Sequence, residues 1–102
     1  MASSMDELIA RFKAEARERS DRIQQLLADM EGDASDAGSC NEIREQAHKL
    51  KGAAGILGYP ELKNRAAELE EVAAAQADAA ADGTALQAIA PAAAAIRDAL
   101  PG

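Results

Sequence analysis

The chain is poor in the residues from which disulfide scaffolds and β-sheets are built. Its 102 residues include one cysteine, one phenylalanine, one tyrosine and no tryptophan, and valine and threonine occur once each. A single cysteine, Cys40, cannot form an intramolecular disulfide, and such cysteine usage fits a reducing compartment. Because there is no second histidine to activate its thiol, we expect Cys40 to be inert. The scarcity of strand-forming residues argues against a sheet.

Long hydrophobic runs are also missing. No stretch approaches the roughly 18 apolar residues that a transmembrane helix needs. The first ten residues, MASSMDELIA, lack the basic segment and apolar stretch of a secretory signal. We therefore expect a cytoplasmic protein with no membrane span.

The chain is rich in alanine. Apolar residues make up 48 % of it, yet aromatic residues only 2 %. Alanine is the strongest helix former and allows helices to pack closely. A length of 102 residues suits one domain, so the composition predicts a single all-α domain over residues 1–102.

The net charge of −7 is distributed unevenly. An acidic chain is a poor ligand for nucleic acids and anionic membranes, so we expect neither as a partner. Residues 41–58 carry three basic and two acidic side chains, whereas residues 61–82 carry two basic and six acidic ones. The only histidine, His48, lies in the locally basic segment, which suits an anionic partner or group.

Hydrophobic spacing predicts two helices in the first half of the chain. The first covers residues 4–31, with apolar residues at helical spacing; these are Met5, Leu8, Phe12, Ala16, Ile23, Leu26 and Met30. Residues 32–39 predict a loop. Ser39 and Glu42 resemble a capping box that opens the second helix, which should end at Leu57, before Gly58 in a left-handed turn.

Two further helices are predicted in the second half. Pro60 suits the first position of a third helix, which should continue to about residue 81 with a buried stripe of Leu62, Ala66, Leu69 and Ala73. The fourth helix should follow residues 82–84, and Pro91 should kink or divide it. Short connections favour antiparallel neighbours, so we expect an up-down-up-down four-helix bundle.

The second helix has one buried face and one face that carries His48. At 100° per residue, five apolar residues fall about 180–260° from His48; these are Ile43, Ala47, Leu50, Ala54 and Leu57. His48 should therefore point to solvent. Arg44, Lys51, Gly52 and Gly55 share its face.

The two glycines on this face need an explanation. Each costs about 1 kcal/mol relative to alanine inside a helix. Because Gly52 and Gly55 lie one and two turns from His48, they would leave room for a group on the imidazole or for another protein. Ile56 should lie at the rim of this surface as an apolar docking side chain.

The run Ala47-His48-Lys49-Leu50-Lys51-Gly52-Ala53-Ala54-Gly55-Ile56-Leu57-Gly58 resembles the signature of the histidine-containing phosphotransfer (HPt) family. The similarity continues at Leu62 and at Leu69-Glu70 in the third helix. It covers residues 43–72 well, whereas the flanking helices match only as helices.

The resemblance implies that His48 accepts a phosphoryl group from an aspartyl-phosphate on a receiver domain and passes it to another receiver. Lys51 would neutralise phosphoryl oxygens, and Glu70 would orient the ring through its other nitrogen. Each could instead be an ordinary solvated side chain. Arg44, Gly52, Gly55 and Ile56 would form the docking surface.

The implied partners are receiver domains and a sensor histidine kinase. The receiver would supply the carboxylates and Mg²⁺, so we expect a monomeric carrier with no cofactor, no metal site and no autonomous catalysis. One histidine without a cysteine pair also offers too few ligands for a metal.

Two alternatives stay open. The chain could be the phosphoacceptor domain of a chemotaxis-like histidine kinase, because Glu70 stands where such domains have glutamate. Against this, Ala67 replaces a histidine often found there, and no linker follows within these 102 residues. The other alternative is an acidic helical adaptor that carries no phosphoryl group, although such an adaptor would be free to lose His48.

Overall fold

A computed structural model describes residues 4–32, 37–78 and 85–101 of the chain. In these ranges the chain forms four helices and no strand: α1 (Ser4–Gly32), α2 (Ala37–Leu57), α3 (Pro60–Asp78) and α4 (Ala85–Ala99). The all-α prediction is confirmed. None of these helices has the combination of length and hydrophobicity that crossing a membrane requires.

The helices enclose one apolar core. Each of them packs against two others, in the order α1–α2–α3–α4 and back to α1, with the most extensive contact between α2 and α3. The buried stripe predicted for α3 is fully buried, as are Ile43, Ala47, Leu50 and Ala54 of α2. The alanines at this interface let the two helices approach closely, which places side chains of α3 within reach of the exposed face of α2.

The connection between α2 and α3 follows the sequence rules. Gly58 has a φ of 81°, and the Tyr59 N–H donates to the Ala54 carbonyl at 2.9 Å, which is the bond of a Schellman cap. Pro60 is the first residue of α3, and the Lys63 N–H donates to the Tyr59 carbonyl at 3.0 Å. These contacts define where α2 ends and where α3 begins.

The only phenylalanine and the only tyrosine of the chain meet at this connection. The rings of Phe12 in α1 and Tyr59 are stacked, with centroids 5.1 Å apart and an interplanar angle of 15°. Such pairs contribute about 0.5–1.5 kcal/mol beyond their buried area. The stack therefore ties α1 to the corner between α2 and α3.

The capping-box prediction is wrong. α2 begins at Ala37, so Ser39 lies inside the helix and does not cap it. Both carboxylate oxygens of Glu42 accept hydrogen bonds from Arg22 of α1, at 2.6 and 2.9 Å. Of the loop predicted for residues 32–39, residues 33–36 lie outside the described residues. Gly32 belongs to α1 and residues 37–39 to α2.

The start of α1 is more exposed than its pattern predicts. Met5 and Leu8 are 58 % and 45 % exposed, although they continue the stripe of buried Phe12. The reason is length, since α1 has 29 residues and α2 has 21. Leu8 lines the same groove as Leu57, the last residue of α2, and Met5 lies about one turn before Leu8.

α4 runs without a break from Ala85 to Ala99 and contains Pro91. The prediction that Pro91 divides the helix is therefore wrong. The alternative prediction, a kink at Pro91, stays a prediction. Proline has no backbone N–H, so the carbonyl of Gln87, one turn earlier, lacks its helical hydrogen bond. Both residues lie on the exposed side of α4. Water can hydrate that carbonyl, so the helix continues. α3 ends at Asp78, and the break predicted at residues 82–84 lies outside the described residues.

Candidate functional site

The burial of α2 follows the predicted rotation of this helix. Four residues of its predicted apolar stripe are buried and the fifth, Leu57, is partly buried, whereas the His48 side chain is 64 % exposed on the opposite face. Gly52 and Gly55 are exposed on the same face as His48. The only imidazole in the chain is thus presented to solvent on a helix whose other side is anchored in the core.

One carboxylate from α3 contacts two side chains of α2. Oε2 of Glu70 lies 2.8 Å from Nδ1 of His48, and Oε1 of Glu70 lies 2.5 Å from Nζ of Lys51. The sequence places His48 and Lys51 one helical turn apart, and Glu70 follows Leu69, which is fully buried in the core. The structure therefore brings together all three residues that the sequence predicts for catalysis.

The contact with Glu70 defines the tautomer of His48. An ionised carboxylate only accepts hydrogen bonds, so Nδ1 of His48 must carry the hydrogen and donate it to Glu70. In the neutral ring, the lone pair then lies on Nε2. This arrangement makes Nε2 the nucleophilic nitrogen.

The carboxylate itself is held in its ionised form. The hydrogen bond from Lys51 is the main cause that keeps the pKa of Glu70 below its ordinary value, and the hydrogen bond from His48 acts in the same direction, against the opposing effect of partial burial. The Lys51 ammonium has three N–H groups. One of them meets Glu70, and the others can meet a second anion beside the imidazole.

The two glycines have different surroundings. A Cβ added to Gly52 would meet no atom within 4 Å, which leaves open space beside His48. A Cβ at Gly55 would lie 3.5 Å from Cδ and 3.7 Å from Cε of Lys63. The Lys63 side chain of α3 thus lies against α2 at Gly55. The sequence analysis missed this contact.

The remaining predicted docking residues lie on either side of His48. Arg44 lines a shallow depression together with His48 and Lys49. Ile56 is 86 % exposed and borders a groove of about 200 Å³ between α1 and α2, to which Leu8 also contributes. The sequence analysis missed Leu8 because its helical spacing matched the buried stripe.

Leu8 and Ile56 are two of the three large apolar side chains exposed in the described ranges, and both border this groove. The groove lies next to the face of α2 that carries Gly52 and Gly55. In the same ranges, no three histidine, cysteine, aspartate or glutamate side chains lie close enough together to hold a metal ion. Cys40 is buried in α2 and is not part of a disulfide. The chemistry of the face rests on the imidazole, its carboxylate and the nearby cations.

No characterised protein and no solved structure is significantly similar to the chain. The family model described as "Hpt domain" matches residues 7–100, which is nearly the whole chain. The helical fold and the exposed histidine of α2 agree with this match, and the chain belongs to the Hpt domain family, whose members act in histidine phosphotransfer within phosphorelays.

Proposed function

We propose that this chain is a phosphorelay carrier in which His48 receives a phosphoryl group from the aspartyl-phosphate of a receiver domain and passes it to another receiver. The observation that carries the proposal is the 2.8 Å contact between Nδ1 of His48 and Glu70 on an exposed helix face. It leaves Nε2 as a nucleophile that a second protein can reach.

The transfer step follows from this geometry. The lone pair of Nε2 attacks phosphorus, the bond between phosphorus and the aspartyl oxygen breaks, and the aspartate leaves as a carboxylate. The His48 ring gains positive charge as the new bond forms. The carboxylate of Glu70 at Nδ1 stabilises that charge, as a buried aspartate stabilises the imidazolium of a serine-protease triad. The same positive charge makes the phosphorylated ring a good phosphoryl donor when His48 passes the group to the next receiver.

Lys51 supports the step electrostatically. Phosphoryl transfer depends mainly on positioning and charge stabilisation. The contact with Glu70 holds the Lys51 ammonium one turn from His48, where its other N–H groups can bind phosphoryl oxygens. The receiver is expected to bring its own carboxylates and Mg²⁺.

The docking surface we propose comprises Arg44, Gly52, Gly55 and Ile56. Gly52 leaves room for the receiver at the imidazole, and the exposed Ile56 offers an apolar contact beside it. The partners are then receiver domains and, upstream of them, a sensor histidine kinase. We expect the carrier to act as a cytoplasmic monomer.

We further propose that the four helices form one domain and alternate in direction. Pairs of contacts support this for α1 and α2, because Arg22 meets Glu42 whereas the earlier Arg19 meets the later Gln46. For α2 and α3, Glu70 contacts His48, and the earlier Lys63 lies over the later Gly55.

A second candidate is the phosphoacceptor domain of a chemotaxis-like kinase. The hydrogen bond between Glu70 and His48 supports this candidate as well, because a carboxylate on the ring would also assist attack on the γ-phosphate of ATP held by a separate kinase domain. Such a domain would be labelled from ATP by that kinase domain with no receiver present.

Radiolabelled receiver domains from the same genome test the leading proposal. Receivers phosphorylated with labelled acetyl phosphate should transfer one acid-labile, base-stable phosphoryl group to the chain. His48→Gln should gain none while it keeps the helical circular dichroism of the wild type. Equal labelling of the two proteins would falsify the assignment of His48.

A further inference from the structure

We propose that Lys63 of α3 is a docking residue that meets an acidic group on the phosphorylated receiver. The inference rests on the proposed function and deepens it. Its basis is the position of the Lys63 side chain, which crosses α2 at Gly55 on the face that carries His48.

The first observation is the placement of the side chain. The Cδ and Cε atoms of Lys63 lie 3.5 and 3.7 Å from the position of a Gly55 Cβ. Gly55 is two turns from His48 on the same helix face, or about 10 Å along the axis. The aliphatic part of the Lys63 side chain thus lies beside Gly55, at one end of the face that carries His48. Arg44 lies one turn from His48 in the other direction.

The second observation is that, within the described part of the chain, Lys51 is paired with a carboxylate whereas Lys63 is not. Lys51 is engaged by Glu70. The Lys63 side chain has no hydrogen bond and no carboxylate within 4 Å among the residues described. Its ammonium is therefore free to bind an external anion.

The third observation is the net charge of −7. A receiver that carries an aspartyl-phosphate is anionic at its reacting surface, so the carrier as a whole repels it. Favourable encounter then requires local cations around His48, because such charges steer association and determine orientation. Lys63 meets this requirement without occupying the space at Gly52 that the receiver needs.

The test measures single-turnover transfer from a phosphorylated receiver at increasing receiver concentration. Lys63→Ala should raise the half-saturating concentration about three- to fivefold at low salt, the scale of one exposed ion pair, and leave the maximal rate unchanged. Lys63→Glu should raise it further, and Lys63→Arg should behave like the wild type. The difference between Lys63→Ala and the wild type should disappear at about 1 M salt, where charges are screened within about 3 Å.

Arg17→Ala is the matched control. Arg17 is exposed on α1, two turns before Gln24, which donates to the Ala93 carbonyl of α4, so it faces away from His48. If Arg17→Ala has the same effect as Lys63→Ala, net charge explains the result and the docking role is wrong. An unchanged half-saturating concentration in Lys63→Ala would overturn the docking role alone. Failure of the wild type to accept a phosphoryl group from any receiver would overturn the carrier function and the docking role together.

Discussion

Lys51 and His48 are bound to the two oxygens of one carboxylate, so the ammonium of Lys51 lies 2.5 Å from Glu70 while the imidazole lies 2.8 Å from the same side chain. The three groups form a chain in which the middle member is negative. Loss of the carboxylate would release both neighbours at once, whereas loss of Lys51 would leave the imidazole contact in place. The two kinds of variant should therefore have different effects.

Lys51→Ala should slow phosphoryl transfer roughly 10²-fold, the scale seen when one preorganised electrostatic group is removed. It should also raise the pKa of Glu70, because the Lys51 hydrogen bond is the main cause of its lowering. Rapid-quench kinetics and a carbon-13 titration of the Glu70 carboxyl measure the two effects. Unchanged transfer would make Lys51 an ordinary surface lysine.

Glu70→Ala should slow phosphorylation of His48 about 10- to 100-fold, by analogy with the cost of removing the residue that orients a metal-bound histidine. Phosphoramidate, a small phosphoryl donor, should reveal the defect without a receiver. Nitrogen-15 spectra should show the Nδ1–H tautomer of His48 dominant in the wild type and reduced in the variant. Identical tautomer populations in both proteins would contradict an orienting role.

Gly52→Ala should stabilise the fold by about 1 kcal/mol, since alanine suits a helix interior and a Cβ there meets no atom within 4 Å. Gly52→Gln should fold at least as well as the wild type yet block transfer from a receiver. In this one variant, thermal unfolding should show stability equal to or above that of the wild type, whereas the transfer assay should show a lower rate. Normal transfer by Gly52→Gln would mean that the space beside His48 is not needed.

Glu70 should also make stability depend on pH. Because its pKa is lower in the folded chain than the ordinary value of 4.5, ionised Glu70 stabilises the fold above that value, and the contribution is lost as pH falls through the folded pKa. The free energy of unfolding of the wild type should exceed that of Glu70→Gln at pH 7, and the gap should narrow in acid. In a Lys51→Ala background the gap at pH 7 should be smaller, and a gap independent of pH would contradict the linkage.

The sequence predicted those parts of the fold that depend on neighbours along the chain. The rotation of α2 followed from its hydrophobic spacing, and the end of α2 at Leu57 followed from Gly58. The start of α3 followed from Pro60. Each of these depends on rules that act within about one or two helical turns.

The errors and omissions involve partners distant in sequence. Glu42 was predicted to cap its own helix but pairs with Arg22, twenty residues away. Leu8 was expected in the core because its spacing matches the buried stripe of α1. That spacing carries no information about where α2 ends, so it could not show that Leu8 is exposed. The position of Lys63 over Gly55 depends on how closely α2 and α3 pack, which no local pattern specifies.

The Phe12–Tyr59 stack has a consequence for observing the molecule in solution. With no tryptophan in the chain, its single tyrosine, Tyr59, dominates the intrinsic fluorescence. The Tyr59 ring stacks on Phe12, which lines the groove that Leu8 and Ile56 border. A tyrosine-free and tryptophan-free partner that enters this groove would alter the emission of Tyr59 without any added label. The protein thus carries an optical reporter beside the surface where docking is proposed.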